Sequence, residues 1–221
     1  YQSNPSQEMY DALLDVVGYL KNSMSHEFIM KCNLKPGEKL RLIEFSDSDY
    51  AADTDTRRSR TGGAYYLEGN LVGNCSKLQN NTTLSTAEAE FGALTTNATF
   101  GIWATNWLEE AGFDVEMPVV CYSDSKAGIA IAKNANMNFR YSRHIDVRQM
   151  FIRDLIKDKK FDVLWLKGEK NIPSDGMTKP FGKNKFLQLR DVLSGHTDIS
   201  SYTDMDVDYT LEYLYDEEND K

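Results

Sequence analysis

The sequence predicts an α/β fold, a mixed five-stranded sheet flanked by helices. Three observations predict it. Strand-like runs separated by turn residues come first, at Leu40–Phe45, Gly62–Leu67 and Leu71–Cys75. A long helical stretch opens at Ser85 with a capping signal. Two further short apolar runs, Val119–Tyr122 and Phe161–Leu166, then alternate with helical patterns, as strands of a sheet covered by helices do.

The elements follow in order. Met9, Leu13, Val16, Val17 and Leu20 recur at helical spacing between Ser6 and Ser23, giving an amphipathic helix whose apolar stripe must dock on something. Pro36-Gly37 marks a turn. The first strand ends in Ser46-Asp47-Ser48-Asp49, and a polar loop runs from Asp53 to Arg60. The next two strands join at Glu68-Gly69-Asn70, a short hairpin connection, so the first three strands are expected to be antiparallel. The helix from Thr86 reaches about Glu110 and stops near Gly112; Trp103 and Trp107, four apart, are expected in the core. A helix carrying Ala127, Ile129, Ala130 and Ile131 follows the fourth strand. Another covers Arg143 to Lys159, with Ile145, Met150 or Phe151, Ile152, Leu155 and Ile156 on its apolar side. A short helix around Ser174–Met177 stops before Pro180.

Composition sets the bounds. With 221 residues, 41% of them apolar, the chain can bury one core of ordinary size and carry an appendage. Cys32, Cys75 and Cys121 are far apart and odd in number, which fits a reducing compartment better than a disulfide framework. No run approaches a membrane span, so no membrane partner is expected. Because Tyr1 comes first and no signal-peptide pattern follows, the chain reads as a piece of something longer. The net charge of −9 argues at first sight against a polyanionic partner, but eight acids and one Lys after Tyr202 account for −7 of it. Between Arg143 and Arg190, twelve Lys or Arg face six Asp or Glu, leaving a basic region available.

The densest information lies in Leu84–Leu94. Ser85 and Glu88 form a capping box, which gives Glu88 a local structural task. Glu90 lies about 200° around the helix from Glu88. It shares a side with Ala93, Leu94 and Asn97, the side that looks toward a sheet. An inward carboxylate needs a partner such as a metal ion or another polar site group. On this stretch alone, a solvated first-turn Glu that favours the helix dipole is the alternative.

Asp47 and Asp124 stand where strands give way to loop or helix, and Asp175 opens the last short helix. Open α/β sheets place their sites at such carboxyl ends. Oxygen ligands converging there suit Mg²⁺ or Mn²⁺. Two such ions about 4 Å apart can activate a water and stabilise a leaving oxygen. Asp49, one pleat from Asp47, is a rival first ligand, while Asp53 and Asp55 read as loop solvation. His144 reads as packing or capping. Arg57, Arg58 and Arg60 form either a charged loop or a contact to a phosphate backbone. Lys157, Lys159 and Lys160 read as a helix C-terminal cluster before a phosphate contact.

Five segments then carry a resemblance: Phe45-Ser46-Asp47-Ser48-Asp49-Tyr50-Ala51-Ala52-Asp53, Leu84-Ser85-Thr86-Ala87-Glu88-Ala89-Glu90, Tyr122-Ser123-Asp124-Ser125-Lys126, Arg143-His144-Ile145-Asp146-Val147-Arg148 and Ser174-Asp175-Gly176-Met177-Thr178-Lys179-Pro180. In order and spacing, over roughly Leu40–Pro180, they resemble the ribonuclease H domain of copia/Ty-type LTR-retrotransposon Pol polyproteins. The resemblance implies a ribonuclease H-like fold and metal-dependent hydrolysis of the RNA strand of RNA–DNA hybrids during reverse transcription. Asp47, Glu90, Asp124 and Asp175 carry over as the catalytic, metal-binding carboxylates, with Mg²⁺ or Mn²⁺ as the cofactor, two ions in all. Expected partners are the hybrid and the reverse transcriptase portion of the same polyprotein, in a cytoplasmic virus-like particle or the nucleus. Residues 1–38 resemble the end of the reverse transcriptase connection, 39–198 the ribonuclease H-like domain, and 199–221 form an acidic tail. Gly176 costs about 1 kcal/mol against a better helix former and is expected to loosen Asp175. The rival reading is a catalytically retired interaction module on the same fold. Four clustered carboxylates speak against it, since their repulsion needs a cation to offset it.

Overall fold

The computed structural model describes residues 4–32, 34–133 and 143–203, without the side chains of 143–149. Five strands, β1 (Leu42–Asp49), β2 (Arg60–Leu67), β3 (Asn70–Leu78), β4 (Val119–Ser123) and β5 (Phe161–Trp165), form one sheet in the order β3-β2-β1-β4-β5. The pairs β1·β2 and β2·β3 are antiparallel, while β4 joins β1 and β5 in parallel, so the sheet is mixed as expected. Glu68 and Gly69, with φ of 50° and 77°, make the two-residue turn between β2 and β3. Two positive φ values in succession match the twist of the flanking strands.

Two apolar layers hold helices to the faces. On one face Leu42, Val119, Cys121 and Val163 meet Phe91, Leu94 and Ala98 of α2 (Thr86–Glu110). Ile129 of α3 (Lys126–Lys133) and Ile152 and Leu155 of α4 (Arg143–Lys157) complete that layer. On the other face Phe45, Tyr66, Tyr122 and Leu164 meet Val192, from a helix additional to those expected from the sequence. The N-terminal helix Gln7–Asn22 is α1, the short helix Ile172–Thr178 is α5, the helix Lys183–Leu193 that carries Val192 is α6, and Ser200–Thr203 is α7. Ile199 and Tyr202 also pack on this second face. The acidic stretch from Asp204 onward lies outside the described residues.

Three expectations are corrected here. The stripe of α1 does not dock on the described part of this chain: no α1 residue is buried, and Leu13, Val16, Val17 and Leu20 are more than half exposed. Its one ring contact among the described residues is the edge of Tyr19 on Phe186, and the chain after it is tied by the Ile29 amide to the Ser194 carbonyl at 2.8 Å. Trp103 and Trp107 are not core but 61% and 59% exposed. Beside Phe91 and Leu94, the side of α2 that meets the sheet carries the small residues Ala89, Ala93, Ala98, Gly101 and Thr105, which bring the helix close and leave the indoles on the opposite side. Gly176 does not loosen α5; a Cβ there would stand 2.3 Å from Leu189 Cδ2, so the glycine lets α5 and α6 pack closely.

Candidate metal centre at the end of the central strands

Asp47 sits near the end of β1, the central strand, and Asp124 follows β4, its parallel neighbour. Adjacent parallel strands thus deliver two carboxylates to one edge of the sheet. Glu90 reaches the same place from the second turn of α2. Ser85 caps that helix, accepting from the Glu88 amide at 3.1 Å, and the Glu88 carboxylate accepts from the Leu84 amide at 2.7 Å. Seven residues beyond Glu90, buried Asn97 accepts from the Tyr65 hydroxyl at 2.8 Å and donates to the Gly62 carbonyl, pinning α2 to β2. The rotation of the helix, and with it the aim of Glu90, is set by this cap and this pin.

One ligand oxygen from each of Asp47, Glu90 and Asp124 lies within 4.8 Å of the others. Asp47 and Glu90 are buried, and Asp124 is partly open. Glu90 Oε2 has no hydrogen-bond partner although it is buried. Burial first, then the charges of Asp47 and Asp124, pushes the Glu90 carboxyl up to about 9. Burial, helped by Asp175 and Asp124 and opposed by the Thr178 hydrogen bond, raises Asp47 to about 6. Asp124 is raised as well, by burial and then by Asp175. Three hard oxygen donors, charge-frustrated and with one acceptor unpaired, suit a divalent cation of the Mg²⁺ or Mn²⁺ kind.

Asp175, from α5, lies beside this group, close enough to act on the charges of Asp47 and Asp124. Its own oxygens are taken by lysines: Oδ1 is 2.7 Å from Lys179 Nζ and Oδ2 2.8 Å from Lys185 Nζ. The Thr178 hydroxyl donates to Asp47 Oδ2 and also lies 3.0 Å from the Asp175 carbonyl, linking α5 to β1. Asn171 donates to the Ser46 carbonyl at 3.0 Å, accepts from the Ser174 hydroxyl at 2.7 Å and hydrogen-bonds Asp124. The Trp165 indole donates to the Asp124 carbonyl. Close backbone approach closes the site: a Cβ on Gly168 would stand 2.9 Å from Asp124 Oδ2, and one on Gly62 2.6 Å from the Ser174 carbonyl.

Asp49, the rival ligand, is outside the group of three and pairs in register with Arg60. Asp53 turns back on Thr56, whose hydroxyl and amide hold its carboxyl below the usual range. Arg58 and Arg60 engage Thr56 and Ser76. The side chain of His144 lies outside the described residues. Sequence reasoning gave no role to Asn171, Thr178, Lys179 or Lys185. Thr178 and Lys179 stood within a motif already singled out, whereas nothing local marks Asn171 or Lys185. A polar depression of about 120 Å³, lined by Thr61, Lys77, Gln79, Asn81, Thr83 and Glu88, runs along the β2–β3 side near the start of α2.

No family model matches the chain. It is 32% identical over 197 residues, 89% of its length, to the retrovirus-related Pol polyprotein from transposon TNT 1-94 of Nicotiana tabacum. Over 187 residues it is 25% identical to the truncated transposon Ty1-A Gag-Pol polyprotein of Saccharomyces cerevisiae. The chain spans only 14% and 15% of the length of these two relatives. Among solved structures it is similar to a ribonuclease H1 isolated from compost by a metagenomic approach, with 17% identity and a TM-score of 0.47, covering 62% of this chain and 91% of that one. Among the described residues no helix is long and apolar enough to cross a membrane. The homologues of this chain are retrotransposon Pol polyproteins, and it corresponds over most of its length to one short segment of them.

Proposed function

We propose that the chain is a metal-dependent endonuclease that hydrolyses the RNA strand of RNA–DNA hybrids during reverse transcription. The observation that carries this reading is the convergence of the Asp47, Glu90 and Asp124 oxygens, with Glu90 Oε2 buried and unpartnered. Carboxylates crowded in this way repel one another unless protonated or joined by a cation. The Pol polyprotein homology supports it from an independent direction.

Asp47, Glu90 and Asp124 would hold one Mg²⁺ or Mn²⁺ ion, and Asp175, whose oxygens Lys179 and Lys185 hold in the free protein, is the carboxylate beside them that a second would need. Two bound ions supply an activated water and stabilisation of the leaving oxygen. The chain's own groups do the positioning. Thr178 fixes the carboxylate plane of Asp47, Asn171 steadies Asp124, and the Ser48 backbone donates to Glu90. Glu90, whose carboxyl burial and the neighbouring acids push up to about 9, would give up its proton on becoming a ligand. Lys179 and Lys185 bring positive charge to the side of the site where a phosphate backbone would run. The exposed stripe of α1 suits contact with the reverse transcriptase portion of the same polyprotein, in a cytoplasmic particle or the nucleus.

The test is cleavage of a labelled RNA–DNA hybrid with Mg²⁺, with Mn²⁺ and with chelator. Metal-dependent cutting of the RNA strand alone is expected. Hybrid binding without cleavage in either metal would instead favour a retired interaction module.

A further inference from the structure

Asp175 differs from the other three carboxylates in having counter-ions of the chain's own. Each of its oxygens meets one ammonium group, Lys179 at 2.7 Å and Lys185 at 2.8 Å. Two ammonium charges on the two oxygens of one carboxylate equal the charge a divalent ion would bring. The acid itself is fixed: its side chain is 7% exposed and belongs to α5, which Gly176 locks against Leu189 of α6. Its partners can move, with side chains 45% and 39% exposed. Lys185 reaches the site from the first turn of α6, passing over the Phe181 ring with Nζ 4.2 Å from its centroid. Among the described residues no lysine forms an ion pair with Asp47, Glu90 or Asp124, whose hydrogen-bond partners are hydroxyl, amide and backbone groups and on whose charges Lys179 acts only from its place on Asp175.

We propose that Lys179 and Lys185 occupy the second-cation position of the free protein, so that a divalent ion settles first on Asp47, Glu90 and Asp124 and a second gains Asp175 only when both ammonium groups leave it for substrate phosphates. This rests on the nuclease reading and adds an order of loading to it. Ammonium groups are hydrogen-bonded to Asp175, not covalently tied, and phosphate oxygens are equally good acceptors for them. The arriving substrate thus removes the two charges that repel the second ion and supplies ligands for it. Full loading of the site is thereby confined to the complex with nucleic acid.

The experiment counts bound Mn²⁺ on the full chain without nucleic acid, from the electron paramagnetic resonance signal of the free ion. Wild type should bind one Mn²⁺ per chain, and Asp47→Asn should lose it. The double variant Lys179→Met/Lys185→Met should bind a second, at least about tenfold tighter than any second binding by wild type. Adding Asp175→Asn to that background should remove the gain. Should the double variant melt abnormally by circular dichroism, Lys185→Met alone is used, and the second site should still tighten. If the lysine variants keep a single Asp47-dependent ion of unchanged affinity, or if wild type already binds two, the loading order is wrong while the nuclease reading stands. If wild type shows no Asp47-dependent Mn²⁺ binding at all, the nuclease reading fails and this inference with it.

Discussion

Glu44 and the Asp47–Glu90–Asp124 group are both buried acid, and β1 carries Glu44 only three residues before Asp47. Their surroundings make them different objects. Glu44 is wholly buried under α2, where a Cβ on Gly101 would stand 2.6 Å from its Oε1 and 3.2 Å from Val119 Cγ1. Neither of its oxygens has a hydrogen-bond partner, and burial alone raises its carboxyl well above the usual range. The group at the strand ends is raised by like charges as well as by burial, and Asp124 is partly open. A perturbed carboxyl is therefore not by itself a sign of a site. Mutual repulsion at an accessible strand end is a better one, because a cation can reach it and relieve it.

The comparison breaks most sharply at Glu90. Glu90→Gln should lower hybrid cleavage by more than about a hundredfold, beyond the range seen when groups that merely support a metal ligand are removed. Its melting temperature in chelator should be unchanged or raised, because a repelling carboxyl has gone. A cleaving Glu90→Gln would put Glu90 in the same class as Glu44. The pH dependence follows from the same group. A carboxyl raised on folding contributes stability that is complete below its unfolded value and is lost as pH climbs through the folded one. With Asp47 at about 6 and Glu90 at about 9, metal-free protein should lose stability progressively from about pH 4 to pH 9. Because ions displace these protons, Mg²⁺ affinity should climb between about pH 6 and pH 9. Calorimetric titration at three pH values reads this directly, and a flat profile would contradict it.

Thr178 offers the next smaller effect. Thr178→Val keeps the shape but removes the hydroxyl that Asp47 accepts from, and should weaken Mn²⁺ binding and cleavage by about 10- to 100-fold. Asp47 should become harder to ionise in the variant, since the hydrogen bond opposes its upward shift. Loss of stability with metal affinity intact would assign Thr178 to α5 packing instead.

Much of this architecture was legible because it depends on local chemistry. Glu68-Gly69 announces its turn, Ser85 and Glu88 their helix start, and the position of Glu90 relative to that start fixes the face on which it lies, with Ala93, Leu94 and Asn97. The orientation of Trp103 and Trp107 was not legible, since α2 carries apolar residues on more than one side and only the close approach of the sheet selects the small ones. Asn171 and Lys185 meet Asp124 and Asp175 through tertiary contacts that no periodicity encodes. Gly176 reads locally as a weak point in a helix, yet its missing Cβ is the space that the Leu189 side chain fills. Glu44 carried no signal either, as one polar residue in a strand ordinarily points to water.

Glu44 can be separated from the site by metal. Its raised carboxyl predicts the same sign, stability lost as pH rises from about 4.5, but an ion bound at the strand ends leaves that loss in place. In saturating Mg²⁺, Glu44→Gln should flatten the remaining alkaline decline in melting temperature and leave cleavage near wild type. If Mg²⁺ alone abolishes the decline, Glu44 adds nothing to it.

The smallest effect belongs to Glu88, two residues from Glu90 and about 200° around the same helix. Its carboxylate accepts from the Leu84 amide, and its amide donates to Ser85. Glu88→Ala should therefore cost roughly 0.5–1 kcal/mol through the weakened cap. In a chain of this size that lowers the melting temperature by about 2–4 °C per kcal/mol. Most cleavage should survive, because Asn97 still pins α2 and holds the aim of Glu90. A stable but inactive Glu88→Ala, alongside a normally cleaving Glu90→Gln, would exchange the two roles. The metal group would then have to be rebuilt around Glu88, on the side of α2 that borders the polar depression instead of the one that meets Asp47 and Asp124.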